Sequence, residues 1–183
     1  MNYIFKPAAT LFLTAVVIVI ALSVCFNFTK EPIERQKQKT QEAAMKQVLP
    51  SASNYIKIQT ETKGSIAAVY EGLSGNILTG YVVQLSPPGY SGNIDLMVGI
   101  SVSEEKITGI RVIKHTETPG LGSLAAKKDF YSRYEGKSLV PLSVVRSSPD
   151  ENEIQAITSA TITTKAITGA VNEAIEWFIG REK

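Results

Sequence analysis

Two short segments of this sequence concentrate side chains that can do chemistry. The first, Thr158-Ser159-Ala160-Thr161-Ile162-Thr163-Thr164, places five hydroxyls in seven residues. A hydroxyl at a helix start can accept a hydrogen bond from one of the free backbone N–H groups there. One cap uses one hydroxyl, so the surplus suggests a bound polar group. The free N–H donors and positive dipole end of a helix N-terminus suit phosphate. Capping and phosphate binding stand as equal readings of this segment. The second segment is His115-Thr116-Glu117-Thr118-Pro119-Gly120-Leu121-Gly122. Its proline and two glycines fix a loop, and glycine lets backbone approach a ligand closely. An ordinary strand-to-helix connection is the plainer reading. Taken singly, His115 reads as a structural histidine and Glu117 as a solvated carboxylate.

The elements that must position these segments follow from periodicity. Ile66–Tyr70, Ile77–Leu85, Ile94–Val102 and Lys106–Ile113 read as strands. Ile94, Leu96, Val98, Ile100 and Val102 alternate strictly, and Ser103-Glu104-Glu105 suits a hairpin turn. Pro87, Pro88 and Gly89 break the chain between the second and third strands. Leu124–Tyr134 reads as helical, and Leu139–Val145 and Glu153–Ile157 as further strands. Ile162, Ala166, Ile167, Ala170, Val171, Ala174, Ile175 and Phe178 recur at helical spacing, which predicts a last helix with one apolar face on the sheet. Gly180 is its stop signal. The fold class is α+β, with a mainly antiparallel sheet and packed helices.

Upstream, Ala8–Phe28 contains no charged residue. A helix of that length spans roughly 30 Å, the thickness of a bilayer core. A cleaved signal peptide is the rival, but its apolar part is normally shorter and ends in small residues, unlike Asn27-Phe28-Thr29. The predicted organisation is an anchor segment over 1–29, a stalk or linker helix over 30–50 and one folded domain over 51–183. Pro32 suits the first turn of that stalk helix, and Pro50 its end.

Composition removes several function classes. With 19 Lys and Arg against 17 Asp and Glu, the net charge is +2, and no basic block interleaves with aromatics. That leaves no electrostatic footprint for nucleic acid. One cysteine, Cys25, forms no internal disulfide and excludes an iron–sulfur cluster or zinc site ligated by several cysteines of this chain. One histidine argues against a histidine metal centre. Redox chemistry here requires an organic cofactor or a partner.

Together the two segments carry a resemblance. The chain resembles the FMN-binding domain shared by the G subunit of the Rnf complex and the C subunit of sodium-translocating NADH:quinone oxidoreductase. The family's ETPGLG loop stands complete as Glu117–Gly122. Its [S/T]-G-A-T flavinylation motif stands as Thr158-Ser159-Ala160-Thr161, with Ser159 where glycine is usual. Gln155 occupies the position where the family commonly has aspartate. Gly89-Tyr90-Ser91-Gly92 and the strand after it resemble the family's middle region, so the likeness covers nearly the whole chain. The short length favours the Rnf subunit over the quinone reductase homologue.

The resemblance implies FMN held covalently, by a phosphoester to Thr161. It also implies cofactor contacts from Thr158, Ser159, Ala160, Ile162 and Thr163, and from Glu117, Thr118, Gly120, Leu121 and Gly122, with Leu121 against the ring. Thr163→Ala and Thr164→Ala are expected to keep most of the flavin. No base adjoins Thr161, so a separate flavin transferase acts in maturation. The implied role is electron transfer within a membrane-bound, ion-translocating ferredoxin:NAD oxidoreductase, alongside its other subunits, with no substrate turned over by this chain alone. The implied location is the cell membrane, crossed once, with the C-terminal domain outside the cytoplasm. The basic residues Lys30, Arg35, Lys37 and Lys39 after the span, against Lys6 before it, argue for the opposite orientation. A quinone reductase C-type subunit and a non-redox, membrane-anchored phosphate-binding module are the alternatives.

Overall fold

The computed structural model describes residues 2–59 and 64–181, apart from the side chains of residues 2–6. The chain divides into two compact units, Met1–Thr40 and Gln41–Lys183. From Asn2 onward the first belongs to a helix α1 that runs Asn2–Val48. Leu11, Phe12, Val17, Ile20, Leu22 and Phe26 are all well exposed along it. It is the one helix among the described residues long and apolar enough to cross a membrane. Pro32 does not begin a separate stalk helix, because α1 continues through both Pro7 and Pro32. The good helix formers on either side of Pro32 sustain the helix despite the one lost N–H···O bond. α1 stops at Val48, just before Pro50.

In the second unit, β1 (Asn54–Ile58), β2 (Ile66–Ser74), β3 (Ile77–Leu85), β4 (Asp95–Ser101) and β5 (Lys106–Lys114) form one antiparallel sheet in chain order. The β1 strand is an addition to the elements predicted above. Its burial pattern lacks the clean alternation that marks a strand in sequence. One face of the sheet packs on the last helix, α3 (Thr161–Arg181), through Val83, Leu85, Leu96, Val98 and Ile100. Ile167, Ala170, Val171, Ala174, Ile175 and Phe178 form the helix's buried stripe. Tyr81 meets Trp177 edge-on at 5.3 Å between ring centres, a contact worth about 1 kcal/mol beyond its area. Ile162 departs from the predicted stripe: it is 56% exposed at the helix start.

The other face of the sheet is covered too. Val82 and Met97 pack on Ala44, Met45, Val48 and Leu49 from the end of α1 and the turn after it. Gly72, Gly80 and Gly99 make this possible. A Cβ on Gly72 would stand 2.9 Å from Ala52, one on Gly80 2.9 Å from Leu49, and one on Gly99 would overlap the Val48 carbonyl. The Tyr55 hydroxyl donates to the Leu49 carbonyl at 2.8 Å, and Thr108 Oγ1 donates to the Val48 carbonyl.

Between sheet and final helix, Leu124–Tyr134 is broken rather than continuous. A 3-10 turn (Gly122–Ala126) is followed by a short helix α2 (Lys128–Tyr131) and a second 3-10 turn (Ser132–Tyr134). Lys127 interrupts them with extended backbone, which lets Phe130 and Tyr134 both enter the core. The buried Tyr134 hydroxyl pairs with Thr168 Oγ1 at 2.8 Å, and burial pushes its pKa well up. β6 (Ser143–Val145) and β7 (Glu153–Gln155) form a small parallel pair, shorter than the predicted strands.

Candidate functional site

Three loops converge at the N-terminal end of α3, and Glu117 ties them together. Its side chain is 5% exposed, not solvated as its type alone suggests. Oε1 accepts from the Tyr90 N–H at 2.8 Å and the Ser91 N–H at 2.9 Å. Oε2 accepts from the Thr163 hydroxyl at 2.5 Å. Burial raises the pKa of this carboxyl, but the bonds from Thr163, Ser91 and Tyr90 and attraction to His115 outweigh it. The net result is a pKa below the ordinary value, as expected for a buried carboxylate with several donors.

The glycines beside Glu117 are there for space. A Cβ on Gly89 would lie 2.6 Å from Glu117 Oε1, and one on Gly122 would lie 2.8 Å from Thr163 Oγ1 and overlap the carboxylate. The loop carrying Glu117 closes on itself: the Gly120 N–H donates to Ser123 Oγ at 2.9 Å, and the Leu121 N–H to the Thr118 carbonyl. Gly120 adopts φ +77°, a conformation suited to glycine. The neighbouring Gly89–Gly92 loop is held by the Gly89 N–H on the Gly92 carbonyl at 2.8 Å and by Thr116 Oγ1 on the Ser91 carbonyl.

The five hydroxyls divide clearly. Thr163 serves Glu117. Thr164 is fully buried, donating to the Ala160 carbonyl and accepting the Ile157 N–H, both at 3.1 Å. Thr158 and Ser159 are exposed and Thr161 is half-buried. None acts as the cap of α3, because Ala160 occupies that position: its carbonyl accepts the Thr164 N–H at 3.1 Å. Among the described residues no side chain accepts the N–H groups of Ile162 or Thr163, so the helix start keeps free donors. Ser159 turns the chain into this helix at φ +63°, a left-handed conformation that disfavours side chains by about 1–2 kcal/mol.

Around this start lies a cavity of about 390 Å³ lined by Tyr90, Glu117, Thr118, Leu121, Gly122 and Ser159–Thr163. The cavity thus brings together nine of the eleven residues singled out in sequence. Gly120 does not line it, and Thr158 lines a neighbouring cavity instead. Tyr90, 70% exposed, is a wall residue that motif reading did not nominate, although it sits in the Gly89–Gly92 segment. An exposed aromatic between two glycines was the available signal. Leu121 and Ile162, 41% and 56% exposed, supply apolar surface. The volume falls in the roughly 300–1,000 Å³ range of small-molecule sites. Apolar walls, a free hydroxyl at Thr161 and free N–H donors fit a flavin ring joined to a phosphate.

Residues 89–176 match the FMN-binding domain family, and residues 1–48 match the RnfG N-terminal region. The chain is 36% identical over 189 residues to the G subunit of the Na(+)-translocating ferredoxin:NAD(+) oxidoreductase complex of Acetobacterium woodii, covering 94% of this chain and 90% of that one. It is 32% identical over 176 residues to the G subunit of the proton-translocating ferredoxin:NAD(+) oxidoreductase complex of Clostridium ljungdahlii, covering 96% and 91%. Among solved structures, the C subunit of the Na(+)-translocating NADH-quinone reductase of Parabacteroides distasonis superposes with a TM-score of 0.62 at 15% identity, covering 80% of this chain and 94% of that one. Shewanella oneidensis NqrC gives 0.53 at 19% identity, covering 70% and 66%. At these identities the two structures establish the shared fold.

Proposed function

The chain belongs to the family of G subunits of ion-translocating ferredoxin:NAD oxidoreductase complexes, and from that premise we propose that it carries its FMN covalently, as a phosphodiester on Thr161. It is an FMN-binding electron-transfer subunit of such a membrane complex, anchored by its N-terminal helix. The C subunit of the quinone reductase is a relative with the same fold. One observation carries the attachment: Thr161 opens α3 on the cavity wall, and its hydroxyl makes no hydrogen bond among the described residues. Thr163 and Thr164 are committed to the fold.

Bound FMN supplies one- and two-electron redox chemistry at its ring. The protein's own residues position it. Leu121, Ile162 and Tyr90 would offer apolar contact for the ring, and the free N–H groups at the start of α3 would lie near a phosphate joined to Thr161. Attachment requires a donor and a base. With FAD as donor, Thr161 would supply the oxygen of the new O–P bond to the flavin-side phosphorus, the pyrophosphate P–O bond would break and AMP would be the leaving group. The cavity's one carboxylate, Glu117, already accepts from Tyr90, Ser91 and Thr163. The threonine proton therefore goes to a base of the flavin transferase, not of this chain.

In-gel flavin fluorescence after denaturation tests the assignment. The wild-type chain and Thr161→Ser should give a fluorescent band when made with the transferase, and Thr161→Ala should give none. A persistent band in Thr161→Ala would place the attachment elsewhere. The orientation follows the same reading: the domain lies outside the cytoplasm, on the side where the family's transferase acts.

A further inference from the structure

Thr161 stands between two cavities. One is the cavity with Tyr90, Leu121 and Ile162 described above. The other, about 350 Å³, is lined by Arg146, Ala156, Ile157, Thr158, Ser159 and Thr161. The two share Ser159 and Thr161. They differ in character: the first combines apolar surface with the Glu117 carboxylate, already paired within the fold, and the second holds one cation, Arg146. Arg146 is exposed and makes no hydrogen bond or ion pair among the described residues. Arg133 and Lys137 are engaged elsewhere, and Lys165, one turn along α3 from Thr161, does not line this cavity. Arg133 donates to the Gln155 carbonyl at 2.5 Å, and Lys137 to backbone carbonyls of the 150–153 turn.

The placement of Arg146 is built into the fold. The parallel pairing of β6 and β7 sets Val145 opposite Gln155, and the Ala156 N–H donates to the Val145 carbonyl at 2.8 Å. That register delivers the next residue, Arg146, beside the segment that leads to Thr161. A phosphodiester keeps one negative charge at neutral pH. A guanidinium recognises phosphate oxygens through paired N–H donors, and such charge-assisted bonds are about twice as strong as neutral ones.

We propose that Arg146 is a positioning residue whose guanidinium binds the phosphate joined to Thr161, holding that anion in the second cavity while the ring lies in the first. This rests on the attachment to Thr161 argued above. It gives the second cavity a ligand chemistry, a singly charged phosphodiester, and divides the cofactor between two cavities. During attachment the same contact orients the phosphorus toward the Thr161 oxygen. No bond to Arg146 forms or breaks.

The test uses full-length protein produced with the transferase, as wild type, Arg146→Gln, Arg146→Lys and the control Lys165→Gln. The readouts are intact mass, for the flavinylated fraction under limiting transferase, and the phosphorus-31 resonance of the attached phosphodiester. Arg146→Gln should flavinylate about tenfold more slowly, and its phosphorus resonance should move toward that of a free dialkyl phosphodiester. Arg146→Lys should fall between it and wild type, and Lys165→Gln should match wild type. An unchanged phosphorus resonance in flavinylated Arg146→Gln overturns the proposal. If Arg146→Gln takes no flavin, Arg146→Lys decides: partial modification supports a charge contact, whereas none in either folded variant assigns Arg146 to transferase binding and overturns it. A wild-type chain with no attached phosphorus signal instead refutes the Thr161 attachment, a separate failure.

Discussion

Glu117 shows how far a residue's environment can change what its type suggests. As a residue in a glycine loop it reads as solvated, yet it is buried with three donors on its carboxylate. Its pKa is lowered on folding. A group with a depressed folded pKa contributes stability above its unfolded pKa, and that contribution fades as pH falls through the folded value. The wild-type domain should therefore lose stability as pH drops below the ordinary value of 4.5, and Glu117→Gln should show a flatter dependence there. Denaturant unfolding across pH 3–7 measures this. Equal slopes for the two proteins would remove Glu117 from the acid response. At neutral pH Glu117→Ala should cost about 2–4 kcal/mol, since it strands two backbone N–H groups and the Thr163 hydroxyl. Thr163→Ala would remove one of the three donors on the Glu117 carboxylate and leave the Tyr90 and Ser91 N–H groups in place, so it should cost stability while most of the flavin is retained. Thr164 likewise serves the backbone of the turn into α3.

The elements around the site are fixed by close approaches that only small residues permit. β3 and β4 are buried on both faces, since the end of α1 covers the side opposite α3. Alternation in Ile94–Val102 reveals one apolar face and leaves Met97 and Gly99 looking like surface positions. In the fold Gly99 lies against the Val48 backbone, and Thr108 donates to that same carbonyl. Gly99→Ala should push the end of α1 off the sheet and destabilise the domain by about 1–3 kcal/mol, as overpacking does. Chemical denaturation reads the loss, and hydrogen exchange should locate it at Val48–Ala52. A stability within about 0.5 kcal/mol of wild type would show that the helix end yields without strain. The cavity at the start of α3 lies at the opposite end of this logic. It is shaped by short loops whose glycines, Gly89 and Gly122, make room for one carboxylate.

For the whole molecule, two opposed influences bear on which side of the membrane the folded unit occupies. The apolar span is followed by Lys30, Arg35, Lys37 and Lys39, and a positive cluster usually stays in the cytoplasm. Arg35 pairs with Glu31 at 2.7 Å, although acidic residues contribute little to orientation. The family resemblance implies the opposite side, and partner subunits can override the charge rule for a single-span protein within a complex. We expect the C-terminal unit outside the cytoplasm. Ser91 is exposed in the Gly89–Gly92 loop, so Ser91→Cys in a Cys25→Ser background should react with a membrane-impermeant maleimide in intact spheroplasts. Reaction only after membrane disruption would reverse the orientation.

Features set by local pattern were legible in the chain alone. The apolar span, four of the five sheet strands, the last helix and both chemical segments follow from hydropathy, alternation, 3.6-residue spacing and turn residues, each of which depends on near neighbours. Nine of the eleven residues nominated in the two segments, all but Gly120 and Thr158, line one cavity. Contacts between segments distant in sequence were not legible in this way. That Glu117 is a clamp, that Tyr90 lines the cavity, that Ile162 faces it rather than the core and that Arg146 borders Thr161 all depend on long-range packing. So does the second covered face of the sheet, because nothing near Gly99 in sequence announces Val48. The separation is physical: periodicity records which side of an element is apolar, whereas the three-dimensional fold alone decides what that side, or a polar group beside it, will meet.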